Sequence, residues 1–143
     1  MEFIFIIVIM RTFFFIPTIL VLIISFIKPS LSEWRLVLNG SDGNEHYIDT
    51  NYVKRENEIV YFKRLINYLK PNDGYFSEVS HIKGDCNLKK KKDLKITIYE
   101  KPMGNGNSEI IDFSQYEKKW SDWKYLKPKT VTYILLDLVC ENT

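Results

Sequence analysis

The stretch DLKITIYEK at residues 93–101 decides the fold class, because apolar and polar side chains alternate along it. Leu94, Ile96 and Ile98 point to one side of an extended chain, and the residues between them point to the other. This two-residue period predicts a β-strand with one buried face. The segment PMGNGN at 102–107 is rich in turn-forming residues, so we expect the chain to reverse there and form an antiparallel partner strand.

Similar strand patterns, separated by clusters of Gly, Pro, Asn and Asp, precede this stretch. Segment 59–68 fits two interpretations, because Phe62, Leu65 and Ile66 also have helical spacing. β-branched and aromatic residues dominate its start and turn signals bound it, so we predict a strand that the cluster at 70–74 ends. The predicted strands lie at 34–38, 45–49, 52–55, 58–69, 75–86 (with an interruption near Gly84), 93–101 and 108–113.

The last part of the chain has a different pattern. The segment VTYILLDLVC at 131–140 holds one charge and neither Gly nor Pro. Its apolar residues recur at helical spacing from Val131 to Leu138, and Thr130 is suited to cap the N-terminus of a helix. A final strand is the alternative, but ten residues are long for a strand and favour a helix. The predicted fold class is therefore α+β, a mostly antiparallel sheet of about six strands with a C-terminal helix packed on one face.

The first 32 residues are set apart by a nearly uncharged run of Phe, Ile, Leu and Val. From Met10 onward they fit a secretory signal, with Arg11 as its basic start and small residues before a cleavage site after Ser32. The residues before Met10 are superfluous to such a signal, so we expect translation to start at Met10. An uncleaved membrane anchor is the alternative, because about 20 apolar residues can span a bilayer. Either way, we expect residues 33–143 to form a single exported domain.

The charge of that domain argues against nucleic acid as a partner. Residues 1–32 contain Arg11, Lys28 and Glu2, so the remaining 111 residues hold 18 of the 20 basic and 17 of the 18 acidic side chains. A domain so close to neutral has no overall field to steer it to nucleic acid. We expect membrane contact only through the N-terminal segment.

Cys86 and Cys140 are the two cysteines of the chain, and both follow the apolar segment. In an exported chain, two cysteines are expected to pair with each other, and two unpaired buried thiols are the alternative. Closing this loop of about 50 residues would stabilise the fold by about 4 kcal/mol. His46 and His81 lie far from both cysteines in sequence, so we predict neither a zinc site nor any other metal or cofactor.

The run Lys89-Lys90-Lys91-Lys92 is the most conspicuous candidate binding feature. It would suit an anionic glycan, an envelope component or an acidic protein partner, or it is a solvated loop whose charges protect a sheet edge from aggregation. Trp120, Trp123 and Tyr125 form an aromatic-rich segment that is typical of binding anchors or of the closure of a small core. Exposed tyrosines near an unpaired edge strand would support a homodimer.

No pair of residues indicates catalysis. Ser77, Ser80 and His81 lie on one predicted strand, but neighbours in sequence there point to opposite faces of a sheet. A nucleophile and its base must share one pocket. We therefore predict a protein that is not an enzyme, with no catalytic residues.

Several further features follow one another in a fixed order over nearly all of residues 33–143. They are Trp34 before a Gly/Asp turn, Tyr47-Ile48-Asp49 before a short basic segment and a long apolar strand, Ser80 to Asp85-Cys86, Tyr99 with Met103-Gly104-Asn105-Gly106, the stretch 123–128, and Val139-Cys140. This ordered set resembles the bacterial surface-adhesin protein E family.

The resemblance implies a curved antiparallel sheet with a C-terminal helix tied across its concave face by a disulfide. It also implies export to the periplasm or cell surface of a Gram-negative bacterium, and binding of host matrix or plasma proteins. It carries over no ligand-binding residue. A periplasmic or envelope-associated structural domain without a host ligand is the alternative function.

Overall fold

Eight antiparallel strands form one sheet in the computed structural model, which describes residues 32–113 and 122–143. Six of them follow one another across the sheet in the order β1-β2-β4-β5-β6-β7, while the short β3 pairs with β4 and β8 pairs with β6. The predicted antiparallel sheet is therefore confirmed. The strands are β1 (Trp34–Asn39), β2 (Glu45–Asp49), β3 (Lys54–Glu56), β4 (Ile59–Asn72), β5 (Tyr75–Asp85), β6 (Lys90–Lys101), β7 (Asn105–Asp112) and β8 (Lys124–Tyr125).

The ambiguous segment 59–68 is a strand, as predicted, and it pairs with β5 without a break from Ile59 to Asn67. The cluster at 70–74 ends this strand, as predicted, but the strand is longer than expected, since β4 continues past residue 69 to Asn72. The pairing with β5 is irregular between Asn67 and Asn72, so Pro71 can lie there without removing a hydrogen bond from a regular ladder. The reversal itself is made by Asp73 and Gly74, which both have positive φ.

The prediction of an interruption near Gly84 is wrong, since β5 runs from Tyr75 to Asp85. Gly84 lies within β5, directly opposite Val60 on one side and Lys91 on the other. The irregularity lies elsewhere, where His81 is opposite Lys95 but the next residue, Ile82, is opposite Asp93. One residue of β6 is therefore extra, which is the arrangement of a β-bulge.

The lysine run is not a loop, because β6 begins at Lys90 rather than at the predicted Asp93. Lys90 and Lys91 pair on one side with β5 and on the other side with the two residues of β8. The run of like charges concealed this strand, since its alternation is visible only when the partner strands are known.

The predicted C-terminal helix is confirmed as α1 (Val131–Glu141). Thr130 caps it, because its side-chain oxygen accepts a hydrogen bond from the backbone nitrogen of Tyr133. Asn142 caps the other end of the helix, since its side chain donates to the carbonyl oxygen of Leu138 at 2.7 Å. Both ends of the helix thus have side-chain partners for backbone groups that the helix leaves free.

The helix packs on one face of the sheet, which we call the helix face. The close contacts are apolar and fully buried, so the hydrophobic effect holds the helix there. Residues from three strands and the helix share this core, and Cys86 follows β5 into it. The buried core residues are Ile48, Val60, Phe62, Ile82, Cys86, Leu135, Leu136 and Val139.

A disulfide joins Cys86 to Cys140, as predicted, and ties the end of the helix to the end of β5. The two Cα atoms lie 5.8 Å apart, which is ordinary for such a bond. Beside it, Arg55 of β3 donates a hydrogen bond to the carbonyl oxygen of Cys140 at 2.8 Å. The end of the helix is therefore held by a covalent bond, by apolar packing and by one charged side chain.

Near the start of the helix, the helix face is polar. Arg64 is nine-tenths buried and donates to Glu78 and Ser80, both at 3.1 Å, and to the hydroxyl of Thr132 at 3.3 Å. The other carboxylate oxygen of Glu78 accepts from Tyr68 at 3.0 Å. Burial and the Glu78 carboxylate together raise the pKa of Tyr68 to about 12.

The N-terminal segment 1–31 lies outside the described residues, so the signal peptide or anchor remains a prediction. Within 32–113 and 122–143, no helix has the length and hydropathy that crossing a bilayer requires.

Candidate binding surface

The four lysines of the run lie on different sides of the sheet. Lys89 precedes β6 and forms an ion pair with Asp137 of α1, with its ammonium 5.8 Å from the ring of Tyr133. Lys91 is largely buried and donates to both carboxylate oxygens of Asp93 at 2.7 Å. Burial lowers the pKa of Lys91, and the carboxylate of Asp93 opposes this effect. These two lysines are therefore engaged within the molecule, on the side of the helix.

Lys90 and Lys92 point to the opposite side, which we call the open face. Lys90 lies 3.7 Å from a carboxylate oxygen of Asp85, and its ammonium is 4.8 Å from the ring centre of Trp123. Lys92 lies directly opposite Lys83 of β5. Alternation along β6 thus divides the run into two pairs with different surroundings.

The open face brings Lys92 together with lysines from three other strands. In one row across the sheet, Lys54, Tyr61, Lys83 and Lys92 are successive cross-strand partners. Since directly opposed residues share a face, all four side chains project to the same side.

In the next row, Lys63, His81 and Lys95 are partners in the same way. Neighbouring strands are about 4.8 Å apart and alternate residues about 7 Å apart, so the two rows form a compact grid of charges. We call this set of seven residues the basic face. It consists of Lys54, Tyr61, Lys83, Lys92, Lys63, His81 and Lys95.

Aromatic rings lie among these lysines. The ammonium of Lys63 is 4.0 Å from the ring centre of Tyr52, and that of Lys83 is 5.4 Å from Tyr61 and 5.9 Å from Trp123. A cation over an aromatic ring is attracted to it. These contacts hold the ammonium groups near the surface of the sheet rather than extended into solvent.

The pKa of His81 is affected by the positive charge of the basic face. Burial lowers the pKa of His81 most, and the nearby charges of Lys63 and Lys95 lower it further. Asp49 opposes them, and it also lies 3.9 Å from the ammonium of Lys63. The imidazole is therefore biased towards its neutral form.

The residues considered for catalysis do not come together. Ser80 lies on the helix face, where its hydroxyl donates to Glu78 at 2.6 Å, whereas His81 lies on the open face. Ser77 donates to the carbonyl oxygen of Lys101 at 2.6 Å. Within the described ranges, no group of three or more His, Cys, Asp or Glu side chains could hold a metal ion.

The aromatic segment is only partly described. Trp123 contacts the lysines of the open face, and Tyr125 is 73% exposed, so neither lies in the core. Trp120 lies outside the described residues.

Sequence reasoning missed Lys63, Lys83 and Lys95 as members of a binding surface. None of the three belongs to the conspicuous run at 89–92, and only the pairing register between strands makes them neighbours. The sequence carries only a partial signal, because each of these lysines lies in a predicted strand but the residues opposite it on neighbouring strands are not known from the sequence.

The chain is similar to one protein family and to several solved structures. A family model described as surface-adhesin protein E matches residues 34–141. No curated protein matches the chain.

Solved structures of protein E from Haemophilus influenzae have the same fold. Crystal form II is 19% identical, with a TM-score of 0.59 over 78% of this chain and 90% of that one. Protein E from the non-typeable organism is 17% identical, with a TM-score of 0.52 over 78% and 86%. The family match spans the whole sheet, the helix and both cysteines. The chain therefore belongs to the surface-adhesin protein E family.

Proposed function

We propose that this chain is an exported, non-enzymatic binding module that contacts macromolecules at the bacterial cell surface. The observation that carries the proposal is the family match over residues 34–141, which includes every strand and the helix of the described residues. The similar solved structures of Haemophilus influenzae protein E support the fold on which this function rests.

An exported location is supported by two independent features. The N-terminal segment has the composition of a signal peptide, with Met10 as its start, or of an uncleaved anchor. The disulfide between Cys86 and Cys140 is typical of proteins that leave the reducing cytoplasm. We propose the periplasm or cell surface of a Gram-negative bacterium as the location.

The basic face is the surface that we propose for binding. Lys90 and Lys92 of the lysine run belong to this side of the sheet, whereas Lys89 and Lys91 are engaged with Asp137 and Asp93. The proposed partner is a protein or an anionic glycan of the host or of the envelope. Among the described strands, β1 and β7 are at the two ends of the sheet order, and we propose that a homodimer would form at one of these edges.

Protease accessibility on whole cells tests the proposal. Intact bacteria that express the chain with a C-terminal epitope are treated with protease, beside permeabilised cells and a periplasmic marker protein as controls. Surface display predicts that the epitope is lost from intact cells while the marker survives. A domain that is cleaved only after permeabilisation would contradict the adhesin function and favour the periplasmic structural alternative.

A further inference from the structure

Two like charges lie directly opposite each other at the centre of the basic face. Lys83 and Lys92 are cross-strand partners, and like charges in this position destabilise a sheet. Among residues 32–113 and 122–143, neither ammonium has a carboxylate oxygen within 4.0 Å. Folding of the described residues does not by itself explain this pair, whereas an anionic ligand would.

The shape of the charged area restricts the ligand. The two rows of the basic face are bounded by carboxylates, with Asp49 beside Lys63, Asp85 beside Lys90 and Asp112 opposite Lys95. A membrane surface would lie over the bounding carboxylates as well as over the lysines. A linear polyanion can follow the rows and avoid the carboxylates, so a chain of charges fits this area better than a charged plane does.

The aromatic rings restrict the ligand further. Tyr61 lies within one row, and Trp123 lies near Lys83 and Lys90. The rings offer apolar faces among charges, which suits a polymer whose repeat carries both a flat apolar surface and anionic groups. Sugar rings that bear sulfate groups have both, and the exported location proposed above favours a polysaccharide over nucleic acid.

We propose that the basic face binds a sulfated polysaccharide, with sulfate groups on Lys83, Lys92 and Lys95 and sugar rings against Tyr61 and Trp123. This inference rests on the proposed binding function, because it names the chemical class of the partner. The bound sulfates would remove the repulsion between Lys83 and Lys92. The ligand would thus stabilise the sheet at this like-charge pair.

Protonation of His81 is linked to this binding. The groups that face His81 are Lys63 from β4, Lys95 from β6, Asp49 from β2 and the ring of Tyr52, whose centre is 5.6 Å away. A sulfate near this position favours the imidazolium, so binding raises the pKa of His81. By linkage, the affinity for the sulfated chain rises as the pH falls through that pKa, and the His81→Gln variant loses this rise.

The test uses the chain as recovered from bacteria that export it, with its disulfide intact, and a heparin-type sulfated oligosaccharide of defined length. The double variant Lys83→Gln/Lys92→Gln should bind about tenfold more weakly and with a shallower salt dependence, because two charge contacts are lost. The matched control, Lys70→Gln/Lys127→Gln, removes the same charge from two exposed lysines outside the basic face and should bind as the unaltered chain does.

A stability measurement shows whether the double variant Lys83→Gln/Lys92→Gln still folds. Since it removes a like-charge pair, its urea midpoint should equal or exceed that of the unaltered chain. Equal weakening in both double variants would overturn the proposal, because it would show attraction by net charge alone. Equal binding of the desulfated oligosaccharide, or binding of anionic lipid vesicles in place of the sulfated chain, would also overturn it.

These outcomes are separate from the outcome of the protease experiment. A domain protected inside the cell that still binds the sulfated chain through Lys83 and Lys92 would contradict the adhesin function only. A surface-displayed domain without such binding would contradict only the choice of partner.

Discussion

At the scale of single residues, Gly84 leaves room for a helix side chain against the sheet. A Cβ atom at this position would lie 2.3 Å from Cδ1 of Leu136 and 3.2 Å from Cγ2 of Val60, both fully buried. Real atoms do not approach so closely without displacing a neighbour. The absence of a side chain at this point of β5 is therefore what allows α1 to pack against it.

The Gly84→Ala variant should consequently lower the free energy of unfolding. Overpacking in a filled core costs about 1–3 kcal/mol, and urea unfolding monitored by circular dichroism measures it. The Leu136→Ala variant alone leaves a cavity, whereas the double variant gives the new methyl group space. The double variant should be more stable than the sum of the single effects predicts; strict additivity would contradict the contact.

His46 makes stability depend on pH. It is 6% exposed, and burial together with the charge of Arg64 lowers its pKa, against smaller opposing effects of Asp42 and Glu78. The pKa of His81 is lowered in the same direction. Because the folded protein disfavours both imidazolium forms, the unfolded chain binds more protons, and stability is lost as the pH falls below the unfolded value of about 6.5.

The urea concentration at the unfolding midpoint should therefore decrease as the pH is lowered from about 7.5 to about 5.5. The double variant His46→Asn/His81→Asn should show a flatter profile, whatever its stability at neutral pH. A midpoint that rises or stays constant as the unaltered chain is acidified would contradict the burial of these neutral rings.

At the scale of elements, the cap of α1 is set by one hydroxyl. Thr130 accepts a hydrogen bond from Tyr133 and donates one to the carbonyl oxygen of Lys127 at 2.8 Å. The Thr130→Ala variant should lose about 1 kcal/mol of unfolding free energy, whereas Thr130→Ser should lose little because it keeps the oxygen. Thermal unfolding of the two variants compares them, and equal losses would show that the hydroxyl does not cap the helix.

Strands and the helix could be predicted where the apolar residues repeat with the period of that element. Alternation identifies β6 from Asp93 onward, and helical spacing with a capping threonine identifies α1. The start of β6 could not be predicted, because four consecutive lysines have no alternation of hydropathy. The end of β4 could not be predicted either, since Pro71 is compatible with a strand only where the ladder is irregular.

At the scale of the whole molecule, the pairing register decides what the surface can bind. Lys63, Lys83 and Lys95 are far apart along the chain, and only the sheet makes them neighbours. A sequence predicts which face of its own strand a lysine occupies, but not which residue of another strand lies opposite. The candidate surface therefore became visible only with the structure, although the presence of a basic run had pointed to this part of the fold.

The tied helix, the family fold and the proposed exported location all depend on the disulfide. Cys86 and Cys140 are 54 residues apart in sequence, and their bond holds the helix on the core. Closing such a loop contributes about 4 kcal/mol in the chain-entropy model, which is comparable to the whole stability of a small domain.

Peptide mapping of the chain recovered from bacteria tests this most directly. Free thiols are alkylated before unfolding, the protein is digested without reduction, and the peptides are identified by mass spectrometry. We predict one linked pair of peptides that contains Cys86 and Cys140, with no alkylated cysteine. Two alkylated cysteines in the folded, recovered chain would contradict both the tied helix and the exported location.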